Sequence, residues 1–251
     1  MLFFYCNQEI QSSIGKEEHL DNYVITIARG FGSGGKQIGL ALSKKLGIPC
    51  YESQILAMAS NYSGINQDLF HQVDEKLRGH HLLKRLYKAP NMDEIIKPTN
   101  KSFVSDVNLY NIQAKMIREL AKIQSCIIVG KCANHILRDY DNVVSVYIEA
   151  PRKECRESIM NKMGVTGDEA DEMIYQTDRY RADYFKYYTG GENWTNPILY
   201  DMTLNSARVG RDKCPDLIVE YLKIKLGEDI LEKKGNEQNV KALKALGLFE
   251  N

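Results

Sequence analysis

A chain of 251 residues with 43% apolar and 26% charged side chains has the composition of an ordinary globular protein, which excludes collagen-like, disordered and disulfide-miniprotein classes. Its length suits one large domain or a core with an inserted subdomain. Thirty-three basic side chains balance thirty-three acidic ones, so no global positive field is available to hold a nucleic acid or an anionic membrane, and any polyanion site must be local.

Residues 1–22 are polar after their first few positions and read as a leader. The apolar run 1–5 has no basic flank and is too short for a signal h-region or a spanning helix, so the cytoplasm is the expected location. Residues 23–28 form a β-branched run, predicted to be a strand, that ends in the glycine cluster 29–35. From Lys36 the spacing changes to that of a helix, with Ile38, Leu42 and Leu46 on one side up to Gly47. A second short strand is predicted over 48–51, with Glu52 at its C-terminal end.

The long interval that follows carries helical patterns over 53–61, 67–77 and 105–122, with a Pro- and Asn-punctuated stretch at 90–100. Further strands are expected at 126–129, 143–148 and 200–204, with a helix at 133–137. Strands alternating with helices predict an α/β fold, a doubly wound parallel sheet of five strands whose C-terminal ends share one edge. The charged, tyrosine-rich stretch 152–194 is too long for a simple crossover and forms a second helical excursion from that edge. The expected organisation is a leader (1–22), a core (23–227) with a helical insertion (53–124) and a lid region (152–194), and a peripheral helical tail (228–251), amphipathic over 240–249.

Gly30-Phe31-Gly32-Ser33-Gly34-Gly35-Lys36 fits G-x-x-x-x-G-K, in which backbone amides and a lysine surround nucleotide phosphates and the following helix aims its N-terminal dipole at them. Gln37 and Ile38, however, stand where a Mg²⁺-ligating hydroxyl is sought. The same residues also satisfy G-x-G-x-x-G as Gly30, Gly32 and Gly35, with Glu52 downstream, so the loop alone leaves a dinucleotide site open. Lys36, the long helical insertion and the arginines favour the phosphate loop. Arg156, Arg179 and Arg181 lie in the second excursion, above the edge where a phosphate on Lys36 would sit; guanidinium groups there suit phosphoryl oxygens. Tyr180, Tyr184, Tyr187, Tyr188 and Trp194 are read as packing. The six cysteines contain no C-x-x-C pair and are read as structural thiols; they make no metal-ligand pattern with His71, His80, His81 or His135, and no metal-ligating residues are assigned.

Five separated strings, at 25–56, 126–137, 146–156, 177–190 and 200–210, resemble in order the cytidylate kinase-like family of P-loop nucleoside monophosphate kinases. The resemblance spans about 23–222. It implies a strand order 2-3-1-4-5, ATP as phosphoryl donor and Mg²⁺, with CMP or a related monophosphate as acceptor and small nucleotides as partners. On this chain it makes Gly30, Gly32, Ser33, Gly34, Gly35, Lys36, Gln37 and Ile38 the donor-phosphate site. Lys36, Arg156, Arg179 and Arg181 become the catalytic cations, and the insertion the monophosphate-binding region. Glu52 and Lys131 become substrate-side residues, with Asp178 the acid that orients the lid arginines. Cytidylate kinases proper carry Asp-Gly-Arg at the end of the third strand, where this chain has Val129-Gly130-Lys131. A Mg²⁺ ion would then be held by phosphates and water. Two further readings remain open at this point, a non-catalytic nucleotide-binding protein and a dinucleotide-binding oxidoreductase.

Overall fold

The structure, a computed structural model, describes residues 21–75 and 94–235. The leader up to residue 20, the segment 76–93 of the insertion, and the tail from 236, including the amphipathic run 240–249, lie outside the described residues.

Five parallel strands, β1 (Val24–Arg29), β2 (Cys50–Tyr51), β3 (Cys126–Val129), β4 (Val143–Glu149) and β5 (Met202–Asn205), form one sheet in the order β2-β3-β1-β4-β5. The fold class and strand order are those expected. Val24 of the central strand pairs with Cys126 on one side and Val143 on the other. Strand side chains alternate between two buried clusters. Val24, Cys126, Ile128 and Tyr147 enter one, and Ile25, Ile27, Ile127, Val129, Val146 and Ile148 the other. This is why these strands read as unbroken apolar runs: helices cover both faces of the sheet.

On the second cluster lie α1 (Gly35–Leu46), through Ile38, Leu42 and Leu46, and α9 (Cys214–Leu226), through Ile218, Val219 and Leu222. The opposite face is covered by α2 (Gln54–Ser63), α3 (Gln67–Gln72), α4 (Asp106–Ile123), the short α5 (Ala133–Ile136) and the C-terminal part of α7 (Gly167–Tyr188). Each fully buried Ile or Leu contributes about 1.5–3 kcal/mol to this arrangement. Buried Asn108 of α4 ties the preceding stretch down, accepting from the Ile96 amide at 2.7 Å and donating to the Phe103 carbonyl at 2.7 Å.

The stretch expected to act as a lid, called the lid below, is a helical hairpin of α6 (Arg152–Met163) and α7, joined around Gly164; α8 (Ser206–Val209) follows β5. Thr166 and Glu169 form a capping box that starts α7. Cys155, Ile159, Ala170 and Ile174 make a third apolar cluster, and Phe31 of the glycine loop packs against it. The hairpin therefore rests on the loop.

Several boundaries differ from expectation for local reasons. The second strand is confined to Cys50–Tyr51 because the Ile48 amide donates to the Ser43 carbonyl at the end of α1 and Pro49 has no amide to give. The fifth begins at Met202 because Tyr200 closes a 3₁₀ turn onto Pro197. The helix expected over 67–77 stops at Gln72, and Glu75 then takes φ +51°. The described start of the tail is held in place: Ile230 is buried, and the Gly235 amide donates to the Asp21 carbonyl at 2.9 Å.

Candidate phosphate-binding site

The glycine loop leaves the C-terminal end of β1 and enters α1. Gly32 (φ +88°) and Gly34 (φ +91°) take left-handed backbone that other residues reach at a cost. Gly34 caps α1 with no side-chain hydrogen bond and no acidic residue follows in the first turn, so the first-turn amides of α1 face outward without a capping acceptor. A helix start of this kind is an anion site. The loop is braced from below. Ser33 donates through Oγ to the Gly30 carbonyl at 2.8 Å, and Ser206 of α8 donates to the Ser33 carbonyl at 2.6 Å. Arg211, which the sequence reading passed over, donates to the Gly32 carbonyl at 2.8 Å and to Ser158 Oγ at 3.1 Å, joining the loop to α6.

Lys36 projects from the first turn of α1, more than half exposed, and its Nζ lies 2.5 Å from Glu52 Oε2 at the end of β2. Arg29, the last residue of β1, is buried beneath the loop and touches both Glu52 (3.5 Å) and Glu75 (2.6 Å). Glu75 also meets Arg181 Nε of the lid at 3.1 Å and accepts from the Lys131 amide at 2.9 Å. The buried Lys131 ammonium pairs with Asp74. Burial alone would raise the pKa of Glu75, but Arg29, Arg181 and Lys131 hold it well below the usual carboxylate range. Burial works against the charge on Arg29, yet Glu75, Glu52 and Asp74 raise its pKa. Arg181 is lowered by burial and by Arg29, and a guanidinium stays protonated at neutral pH regardless.

Two adjoining clefts meet at these charges. One, of about 120 Å³, lies over the loop and is bordered by Gly30, Gly34, Lys36, Gln37, Lys162 and Arg181. The other, of about 340 Å³, is bordered by Lys36, Asp74, Glu75, Lys131, Tyr180 and Arg181. Arg29, Lys36, Glu52 and Arg181 border both.

Of the three candidate lid arginines, the structure brings Arg181 to the clefts. Arg156 instead pairs with Asp171 at 3.2 Å within the hairpin, and Arg179, more than half exposed, lies 4.0 Å from Asp183. Lys162 of α6 borders the loop cleft and escaped the sequence reading. Asp178 accepts from the Phe31 amide at 2.8 Å and lies 3.5 Å from Arg181, so it meets one arginine of the lid and the loop backbone together. Burial raises its pKa, against the opposing pull of the Phe31 amide and Arg181. Ile38 is buried in the core under α1 and reaches the site through its backbone alone. Glu149, also unassigned by the sequence, supports the loop: a Cβ on Gly30 would lie 2.5 Å from its Oε1, and Tyr147 donates to its Oε2 at 2.6 Å.

Magnesium finds few protein donors here. Gln37 and Ile38 offer no hydroxyl, Val129 no carboxylate, and Glu52 and Glu75 are each committed to cations. Among the described residues no three His, Cys, Asp or Glu side chains converge as a cage. The residues present do not build a magnesium site.

A family model for the cytidylate kinase-like family matches residues 24–208, well over half of the chain. The chain belongs to the cytidylate kinase-like family. With that it joins the kinase-like phosphotransferases in the broad sense, and the match sides with the phosphate-loop reading of the glycines over the dinucleotide one. Among solved structures it is similar to an uncharacterised protein from Eubacterium ventriosum, at 23% identity and TM-score 0.59, covering 80% of this chain and 99% of that one. A shikimate kinase from Bacteroides thetaiotaomicron matches at 13% identity and TM-score 0.45, covering 80% of this chain and 98% of that one. No curated protein matches the chain. No helix among the described residues is long and apolar enough to cross a membrane.

Proposed function

We propose that this cytidylate kinase-like chain transfers the γ-phosphoryl group of ATP to CMP or a related small acceptor. The observation that carries the reading is the uncapped start of α1 behind its glycine loop, with Lys36 and Arg181 on the two clefts that meet there. In this reading the amides of 32–37 cradle the β- and γ-phosphates. Lys36 exchanges its partly exposed pair with Glu52, which is worth little in water, for the phosphate oxygens. Arg181 neutralises charge on the group in transit, and the lid excludes water. Lys162 adds a cation on the donor side. Arg156 and Arg179 add positive charge at a distance, keeping their pairs with Asp171 and Asp183. Glu52 and Lys131 border the acceptor cleft, and Asp178 orients Arg181 and latches the lid to the loop. Phosphate oxygens and water are the ligands left to Mg²⁺. Small nucleotides are the partners this calls for and the cytoplasm the compartment; the balanced charge gives no reason for nucleic acid or membrane.

A coupled ADP-release assay with ATP and a panel of nucleoside monophosphates tests the reading; CMP or a close relative should stimulate turnover. Absence of acceptor-dependent turnover while ATP binds would instead support a non-catalytic nucleotide-binding protein, which Gln37 and Val129 favour as the second reading.

A further inference from the structure

A fixed cation stands beside the residue from which the glycine loop would hold a metal. Gln37 occupies the position after Lys36 where a hydroxyl would reach magnesium, and Arg211 Nη1 lies 3.5 Å from its Oε1. The same guanidinium donates to the Gly32 carbonyl at 2.8 Å and to Ser158 Oγ at 3.1 Å. It lies against the loop, since a Cβ on Gly34 would come within 2.8 Å of Arg211 Nε. Gly34 is the N-cap of α1, so this charge sits at the rim of the uncapped amides.

The charges around the loop fall into two groups. Arg29, Lys36, Lys131 and Arg181 are balanced by Glu52, Asp74, Glu75 and Asp178. Arg211 and Lys162 stand outside that balance: among the described residues neither is paired with a carboxylate, and Arg211 directs its donors to neutral oxygens. Glu149, the acid beside Gly30, accepts from the Tyr147 hydroxyl at 2.6 Å and from the Ala150 amide at 2.9 Å. Each acid that could serve a metal is thus held by a cation or by neutral donors, while two cations lack an anion. In kinases of other design magnesium bridges the phosphate oxygens and neutralises their charge. Guanidinium and ammonium groups supply the same neutralisation through charge-assisted hydrogen bonds.

We propose that this chain binds its nucleoside triphosphate without magnesium, with Arg211 and Lys162 joining Lys36 to supply the positive charge that the metal brings to the phosphates in other kinases. The inference rests on the phosphate-loop reading proposed above, and it concerns binding, not transfer. Arg211 comes from the connection between α8 and α9 and Lys162 from the lid, so two separate elements deliver the charge. On binding, Arg211 Nη1 exchanges the neutral Gln37 oxygen for a charged phosphate oxygen. A metal-free triphosphate is more negative than its magnesium complex, and it suits a site whose counter-charge is built in.

The test titrates ATP into the whole chain by calorimetry, in excess EDTA and in excess magnesium, for wild type, Arg211→Met and Lys162→Met. Wild type should bind ATP at least as tightly in EDTA as in magnesium. Weaker binding in EDTA would overturn the proposal and leave the phosphate-loop reading standing, whereas no binding in either buffer would remove both. Arg211→Met should weaken binding about tenfold or more in EDTA and by a smaller factor in magnesium, where the metal makes up for the lost charge. The same factor in both buffers, or no loss in EDTA, would overturn the proposal, because a mere brace of the loop serves both species alike. Should Arg211→Met not fold, Lys162→Met, on the exposed side of the lid, carries the same comparison: a larger loss in EDTA than in magnesium supports the proposal, and equal losses or none overturn it.

Discussion

The carboxylate of Asp178, on the lid, accepts a hydrogen bond from the backbone amide of Phe31, in the glycine loop, at 2.8 Å. It closes the lid on the loop from the polar side, as the packing of Phe31 against Ile159 and Ile174 does from the apolar side. A half-buried hydrogen bond to a charged acceptor is worth about 1.5–3 kcal/mol. Asp178→Ala should lower unfolding free energy in urea by that amount, whereas Asp178→Asn, which keeps an acceptor oxygen, should lose about half. Equal losses would mean that packing, not the bond, holds the lid.

Arg181 lies at both clefts while Arg156 and Arg179 are paired elsewhere on the lid. Arg181→Met should therefore lower kcat by about 10²–10³-fold, as loss of a preorganised transition-state donor does. Arg156→Met and Arg179→Met should each cost less than a tenth of that factor. Steady-state kinetics on the three variants decide it; an equal loss in all three would place the lid differently during turnover.

Gly32 has φ +88°, and a Cβ there would lie 2.7 Å from the Cys155 carbonyl oxygen, a backbone atom that cannot swing aside. Gly32→Ala should destabilise the fold by about 1–3 kcal/mol and weaken ATP binding. Thermal unfolding and an ATP titration on the same preparation check both effects. An unchanged melting temperature would contradict the close approach of Gly32 to the Cys155 carbonyl.

Helix phase explains what could be foreseen of the lid. Arg181 and Asp178 are three residues apart and share a face of α7, whereas Arg179, two positions from Arg181, is turned away. That signal was present in the sequence, and it separates the two arginines that the motif alone treats alike. The same two-residue step separates Arg156 from Ser158, which shares its face of α6 with Lys162 four positions on. The sheet, the loop and Lys36 were legible because glycine spacing and apolar runs are local. Glu75 and Arg211 were not, because Arg29 and Gly32, their partners, lie 46 and 179 residues away in sequence and are brought to them by the crossovers; Lys162 borders the loop cleft only because the hairpin folds onto the loop. Arg29 alone carried a hint, a charged residue closing an otherwise apolar strand.

Acid titration gives an independent view of the cation cluster. Burial would raise the pKa of Glu75, but Arg29, Arg181 and Lys131 hold it well below the ordinary value of 4.5. A depressed carboxyl contributes stability that is present above its unfolded value and lost as pH falls through its folded value. Wild type should thus lose more stability than Glu75→Gln as pH drops below about 4.5. Urea unfolding from pH 7 to 3 compares the slopes; parallel curves would contradict the pairing.

The central claim is that the loop ahead of α1 grips the terminal phosphates of ATP. Calorimetric titration of a non-hydrolysable ATP analogue into wild type and Lys36→Ala tests it most directly. The account predicts binding in wild type and a loss of affinity of about 10²-fold or more in the variant, the scale of a lost charge-assisted contact. The same affinity in both proteins, or none in wild type, would contradict it.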